Sequence, residues 1–268
     1  MVRRTLTALL LLVSMVPVIF FGGVLYFIYM GVFIVLAARE YVQMFQVKDF
    51  QPSLWITVGG TVAILLTRAF FPAWAEPIFA VLILLAMTFH LSAYERGREQ
   101  AALDFAITVG GLVYLGWIGG YISDLRALPN GAWWVLTVFP IVWMTDSGAY
   151  TIGAKYGVHK MFKRISPKKS WEGYFAGILM GTLYGGFFAF VYSKFGPLHM
   201  SIWQGVLLGL VLSATTILGD LGESLFKRFA SEKDSGNFLP GHGGAFDRID
   251  SLIWAAVIGV FWIRFFLL

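Results

Sequence analysis

Long apolar runs, broken by short polar stretches, dominate this chain. A membrane-crossing helix needs about 20 apolar residues, with about 17 to 25 tolerated. From Thr5 to Ala38 the sequence is almost continuously apolar. That is too long for one span and short for two. Pro17 and the Gly22-Gly23 pair offer a break, so two short or tilted helices are predicted, followed by a loop at Arg39, Glu40, Lys48 and Asp49. Further spans are predicted over Leu54–Phe71, Pro77–Tyr94, Phe105–Tyr121, Ala132–Tyr150, Gly173–Tyr192, Ile202–Leu221 and Leu252–Leu268. The pattern predicts an all-α polytopic membrane protein with about nine transmembrane helices, or eight if residues 5–38 form one.

Composition agrees. Of 268 residues, 58% are hydrophobic and 13% charged, and 30 are glycine; a soluble domain carries about 25% charged residues. Cysteine is absent, which excludes disulfides and Cys-ligated zinc and leaves the redox compartment unassigned. Arg3 and Arg4 before an apolar run mimic a secretory signal, but apolar sequence continues past Gly23 without a small-residue cleavage site, so a retained first helix is expected.

Charge placement orients the chain. With nine spans, 16 of the 20 Lys and Arg residues fall on one side, and Arg68, Arg126, Lys194 and Arg264 on the other. Basic loops face the cytoplasm, so the N-terminus and both large polar loops are expected there. If residues 5–38 are one helix, only the N-terminus changes sides. The basic residues flank apolar spans with no soluble basic domain, which argues against nucleic-acid binding. The organisation expected is an N-terminal scaffold over residues 1–130 and a C-terminal catalytic region over 131–268, with cytoplasmic loops 151–172 and 222–250.

Within the predicted seventh span, Gly173, Gly177, Gly181 and Gly185 recur every fourth residue. They share a face where backbones can approach closely in lipid, a packing seam within one protomer or between two.

Four acids map to the cytoplasmic ends of spans: Asp146 closing the sixth, Asp220 closing the eighth, and Asp247 and Asp250 on one face of the first turn of the ninth. Together they offer oxygen ligands for a hard cation such as Mg2+. For Asp247 or Asp250 alone, helix capping is as good a reading. For Asp146 and Asp220 at C-terminal ends the helix dipole disfavours a negative charge, which favours a functional role. The basic stretch Gly153–Glu172 contains Ser166-Pro167-Lys168-Lys169-Ser170-Trp171-Glu172; it suits anionic headgroups, and Lys168 and Lys169 are poised at the membrane surface. No Gly-x4-Gly-Lys-Ser/Thr loop and no strand-linked Gly-x-Gly-x-x-Gly is present, so a nucleotide would need another device.

The one long polar stretch is Ser224–Asp250, SLFKRFASEKDSGNFLPGHGGAFDRID. It concentrates cations for phosphate, carboxylates for a metal, and glycines that let backbone approach a ligand. Ser-x-x-Lys-Arg, then Lys-Asp, then Pro-Gly-His-Gly-Gly, then Asp-Arg-x-Asp resembles the signature of the phosphatidate cytidylyltransferase (CDP-diacylglycerol synthase) family. The resemblance covers about Asp146 to Ser251; the N-terminal half matches only as generic membrane helices. It implies transfer of the cytidylyl group of CTP to phosphatidate, giving CDP-diacylglycerol and pyrophosphate, with Mg2+, a second cation in some arrangements, and a homodimer in a bacterial inner membrane. That the base is cytosine rests on the resemblance alone.

Residue chemistry and resemblance together give the candidate roles. Lys227, Arg228, Lys233, Asp234, His242 and Arg248 are candidate catalytic residues. Lys168, Lys169, Ser224, Gly243 and Gly244 are candidate substrate-binding residues, and Asp146, Asp220, Asp247 and Asp250 candidate metal ligands. His90, His159 and His199 lack such a setting and read as structural or exposed. A related CTP-using enzyme on another lipid, an isoprenoid alcohol kinase or an archaeal-lipid cytidylyltransferase, would share these features. An ion or solute transporter is the alternative of another class, but transporters place ligands near the bilayer midplane, where these spans are almost free of charge.

Overall fold

The computed structural model describes residues 13–236, 238 and 243–268. They form helices α1 (residues 13–21), α2 (Gly23–Gln46), α3 (Leu54–Phe70), α4 (Ala75–Glu95), α5 (Ala101–Gly111), continued by a π-helical stretch Leu112–Ile118, and α6 (Tyr121–Ala127). Helix α7 (Gly131–Tyr156) then leads into strands β1 (Lys160–Phe162) and β2 (Ser166–Ser170), and α8 (Trp171–Phe195), α9 (Ile202–Thr215), α10 (Ile217–Phe229) and α11 (Phe246–Phe266) complete the chain.

Among the described residues, six helical stretches are long and apolar enough to cross a membrane: Gly23–Gln46, Pro72–Glu95, Ala101–Ala127, Trp171–Phe195, Ile202–Phe229 and Phe246–Phe266. Leu54–Phe70 is a shorter apolar helix. The protein is an all-α polytopic membrane protein. Among the described residues, the predicted spans from the second onward each have a helical counterpart, and the start of the first lies outside them; α7, though 26 residues long, is less apolar than the six. Its length includes Trp133, Trp134, Pro140, Trp143, Asp146 and Lys155, which dilute the apolar signal.

Several boundaries differ from the sequence pattern. The break at Gly22-Gly23 is present, with φ of 60° and 52°, a region open to glycine at little cost. The predicted loop at Arg39 and Glu40 is instead helical, because α2 runs on to Gln46 with Tyr41, Val42 and Met44 buried. The predicted eighth span is divided near Thr216 into α9 and α10. The basic stretch after Tyr156 folds as an antiparallel hairpin, a small sheet in the otherwise helical chain.

The chain forms two compact units, Met1–Ser123 with Leu225–Ile249, and Asp124–Ser224 with Asp250–Leu268. In the first, Asp104 is a buried hub. Its carboxylate accepts the Gln51 N–H at 2.7 Å and the Arg98 Nε–H at 2.7 Å. His90 meets Thr108 Oγ1 at 2.9 Å, a structural histidine as expected. On α3, Arg68 donates to the Trp117 carbonyl of the π-helical stretch, with its guanidinium over the Trp117 and Tyr121 rings at 4.8 and 4.5 Å. Irregular helix frees carbonyls that must find donors when water is scarce.

The second unit is organised by α8. Gly173, Gly177, Gly181 and Gly185 are all buried on one face. A Cβ at Gly177 would meet the Thr145 carbonyl of α7, and one at Gly185 would meet the backbone of Gly205 and Gly209 on α9. The predicted seam therefore lies within the protomer. On the opposite face Phe175, Leu179, Leu183 and Phe187 are exposed, also four apart, as a lipid-facing stripe requires. Pro140 inside α7 has no N–H for the Leu136 carbonyl; the Tyr192 hydroxyl of α8 donates to that carbonyl at 3.2 Å.

Candidate active site

In the first unit, the turn leading into α11 is built around two carboxylates. Asp247, in the first turn of α11, accepts from Lys227 Nζ on Oδ1 at 2.6 Å. Its Oδ2 accepts from the Ser235 N–H at 3.0 Å and the Gly244 N–H at 2.9 Å, and Ser235 Oγ lies 3.0 Å away. The second carboxylate is Glu40 of α2. It accepts the Ala245 and Phe246 N–H groups, each at 2.9 Å, and the Ser235 hydroxyl at 2.9 Å. Backbone N–H groups at a helix start have no intrahelical acceptor and favour negative charge; here Glu40 of α2 accepts those of Ala245 and Phe246, and Asp247 of α11 itself accepts that of Gly244.

The two glycines of this turn are required by geometry. Gly243 has φ of 77°, and a Cβ at Gly244 would run into Ser235 Oγ and the Glu40 carboxylate. Beside the predicted anion-binding role these glycines have a structural one: the Gly244 N–H holds Asp247, and the missing Cβ of Gly244 leaves room for the Glu40 carboxylate. Lys233, Asp234, Arg228 and Arg248 are exposed. Arg228 Nη1 reaches the Glu232 carbonyl at 3.4 Å. His242 lies outside the described residues.

In the second unit, Asp220, Glu223 and Asp250 bring one carboxylate oxygen each within 4.8 Å of one another. Three converging carboxylates, two of them buried, form a donor set suited to a hard divalent cation such as Mg2+. Lys169 Nζ lies 2.6 Å from Asp220 Oδ2, and Ser224 Oγ meets Asp220 Oδ1 at 3.2 Å. Asp146 is within Coulombic reach of Lys169 and Asp220. The base of the hairpin is closed by His159, whose N–H and Nδ1 meet the Glu172 carboxylate, the latter at 2.5 Å. Lys169 is half-buried, whereas Lys168 is exposed.

Two premises about the acids are corrected. Asp220 does not close a helix: α9 ends at Thr215, and Asp220 sits in the first turn of α10. Asp146 does not close one either, since α7 continues to Tyr156. The dipole argument for these two residues therefore falls. Their proximity to Lys169 is the better reason to group them.

Comparison with known proteins decides the family. The model of the cytidylyltransferase family matches residues 2–266. The chain belongs to the cytidylyltransferase family. It is 35% identical over 253 residues to a phosphatidate cytidylyltransferase of Staphylococcus epidermidis, covering 94% of each chain. It is 34% identical over 255 residues to that of Staphylococcus aureus, and 32% identical over 253 residues to that of Staphylococcus saprophyticus, again with 94% of each covered. The match reaches through the N-terminal half, where the sequence pattern gave only generic helices.

For this cytidylyltransferase the sequence pattern missed three residues that the structure places in the two clusters. Glu40 stood where a loop was expected, although the helical spacing of Ile34, Ala37, Ala38 and Tyr41 already carried α2 past it. Glu223 follows Asp220 by three residues, the spacing that puts both on one helical face. Ser235 follows Lys233 and Asp234 within the signature loop, and nothing in its sequence setting singles it out.

Proposed function

We propose that this protein transfers the cytidylyl group of CTP to phosphatidate, giving CDP-diacylglycerol and pyrophosphate. The observation that carries the chemistry is the convergence of Asp220, Glu223 and Asp250 beside Lys169. The substrates are those that the names of the staphylococcal relatives carry. A phosphate oxygen of phosphatidate bonds to the α-phosphorus of CTP as the bond from that phosphorus to the β-phosphate bridge oxygen breaks. The nucleophile is already anionic near neutral pH, so the main task is to hold two polyanions and to stabilise the leaving pyrophosphate.

Asp220, Glu223 and Asp250 are the proposed Mg2+ ligands, with Asp146 adjacent as support for a second cation. A cation held there would supply neutralisation of phosphate charge and orientation of the transferring group. Lys169 is proposed as the cationic contact of this cluster, with Lys168 and Ser224 flanking it. In the first unit, Lys227 is held in place by Asp247, and the turn at Gly243 and Gly244 supports a phosphate contact, with Arg228, Lys233, Asp234, His242 and Arg248 around it. Asp247 is better supported as the partner of Lys227 than as a metal ligand, because its carboxylate pairs with Lys227 and, among the described residues, is not one of the three that converge. By the charge asymmetry of the loops the reaction faces the cytoplasm, at a bacterial inner membrane, and by family resemblance the enzyme is a homodimer.

The test is product identity. Purified protein is given CTP and Mg2+ with phosphatidate, and separately with an isoprenoid alcohol, and the lipid products are weighed by mass spectrometry. A cytidine-bearing diphosphate lipid from phosphatidate supports the proposal. A phosphorylated alcohol with release of the nucleoside diphosphate would replace it with the kinase reading.

A further inference from the structure

Glu40 is a carboxylate on a membrane-length helix, 6% exposed. A charge in such a place is costly unless donors surround it, and such residues are seldom incidental. Among the described residues, its donors come from the stretch that carries Asp247: Ala245 N–H, Phe246 N–H and the Ser235 hydroxyl. The fit is shaped on both sides. A Cβ at Gly236 or at Gly244 would meet the Glu40 carboxylate, so glycine at both positions makes room for it.

Ser235 links the two acids. Its Oγ lies 2.9 Å from Glu40 Oε2 and 3.0 Å from Asp247 Oδ2. A hydroxyl has one proton to donate, so it serves one carboxylate while the other relies on its backbone donors. Asp247 in turn holds Lys227. The result is a continuous path from Glu40 through Ser235 and Asp247 to Lys227, all within the first unit.

We infer that Glu40 is a positioning residue for the transfer reaction: it fixes the turn at Gly244–Phe246 and, through Ser235, sets the orientation of the Asp247–Lys227 pair. This rests on the cytidylyl-transfer reading and adds to it a functional residue from the N-terminal half. A glutamine at this position keeps the shape but turns an amide NH2 towards one of the N–H or O–H donors, so it cannot accept on both sides.

The experiment measures kcat and KM for CTP and phosphatidate on full-length Glu40→Gln, Ser235→Ala and the double variant, with thermal unfolding in the same detergent. Wild-type transfer is measured first: its absence removes the reaction reading and this inference with it, whereas failure of this inference alone appears only in the variants. The expected result is a kcat about ten- to a hundredfold lower in each single variant, the range for groups that hold a reacting group in place. KM should stay within about twofold. The double variant should lose no more than the worse single variant, because both changes cut the same path. A folded Glu40→Gln protein with wild-type kcat overturns the inference. So does lowered thermal stability with kcat per folded molecule intact, which marks a purely structural residue. If Glu40→Gln does not fold, Ser235→Ala, which keeps both backbone contacts to Glu40, decides by the same criteria.

Discussion

Lys169 Nζ sits 2.6 Å from Asp220 Oδ2, an ion pair whose side chains are 22% and 41% exposed. A pair this open to solvent contributes little to stability, about 0 to 1 kcal/mol. On the proposed function, its value is in placing the Lys169 ammonium at the end of the hairpin beside the acidic cluster.

Lys169→Ala is therefore expected to lower kcat/KM by about tenfold or more, the size of one lost charge-assisted contact. The unfolding midpoint should fall by no more than about 2–4 °C. Steady-state kinetics with thermal unfolding checks both. Unchanged kinetics would take Lys169 out of the site.

The Lys227–Asp247 pair is the opposite case, with side chains 9% and 10% exposed. Removing one partner leaves a buried charge, which typically costs about 3–5 kcal/mol. Lys227→Ala should come near the low end, since the Ser235 and Gly244 N–H groups still serve Asp247. Lys227→Met combined with Asp247→Asn should recover much of that stability while leaving the enzyme inactive. Thermal unfolding of the single and double variants separates the two contributions, and a single variant as stable as wild type would contradict the pairing.

The glycine seam makes a packing prediction. At Gly185 an added Cβ meets the backbone of Gly205 and Gly209, which cannot rotate away. Gly185→Ala should destabilise by about 1–3 kcal/mol, the usual range for overpacking. Gly59 has open space where its Cβ would be, so Gly59→Ala should stay within about 0.5 kcal/mol of wild type. Equal unfolding midpoints for the two variants would argue that α8 does not pack through this face.

Much of this seam was legible because it depends on spacing alone: a glycine at every fourth residue has to lie on one helical face. The Gly22-Gly23 break was legible for a similar local reason. Helix ends were harder. Residues 202–219 include no charged residue and no proline, so the sequence does not mark the division between α9 and α10, and the pattern puts Asp220 at the wrong end of a helix. Glu40 was hidden because its partners Ser235, Ala245 and Phe246 are about two hundred residues away along the chain. Sequence proximity to Arg39 made it look like a loop charge, and only the folded chain shows the donors around it. The signature loop singles out Lys227 and Asp247 but gives no sign that they hold each other.

The acidic cluster predicts a cation affinity that depends on each member. Binding of Mn2+ to the purified protein, followed by electron paramagnetic resonance, should weaken about tenfold or more in Glu223→Gln and in Asp250→Asn. Addition of Mg2+ should displace the bound Mn2+. Affinity unchanged in both variants would place the cation elsewhere.

The central claim is tested most directly with α-labelled CTP. Purified protein in mixed detergent–phosphatidate micelles is supplied with labelled CTP and Mg2+, and label in the lipid is followed together with pyrophosphate release, with Asp220→Asn as the control. One pyrophosphate for each label entering lipid, both lost in folded Asp220→Asn protein, is the predicted result. Pyrophosphate without labelled lipid, or labelled lipid at an undiminished rate in Asp220→Asn, would contradict it.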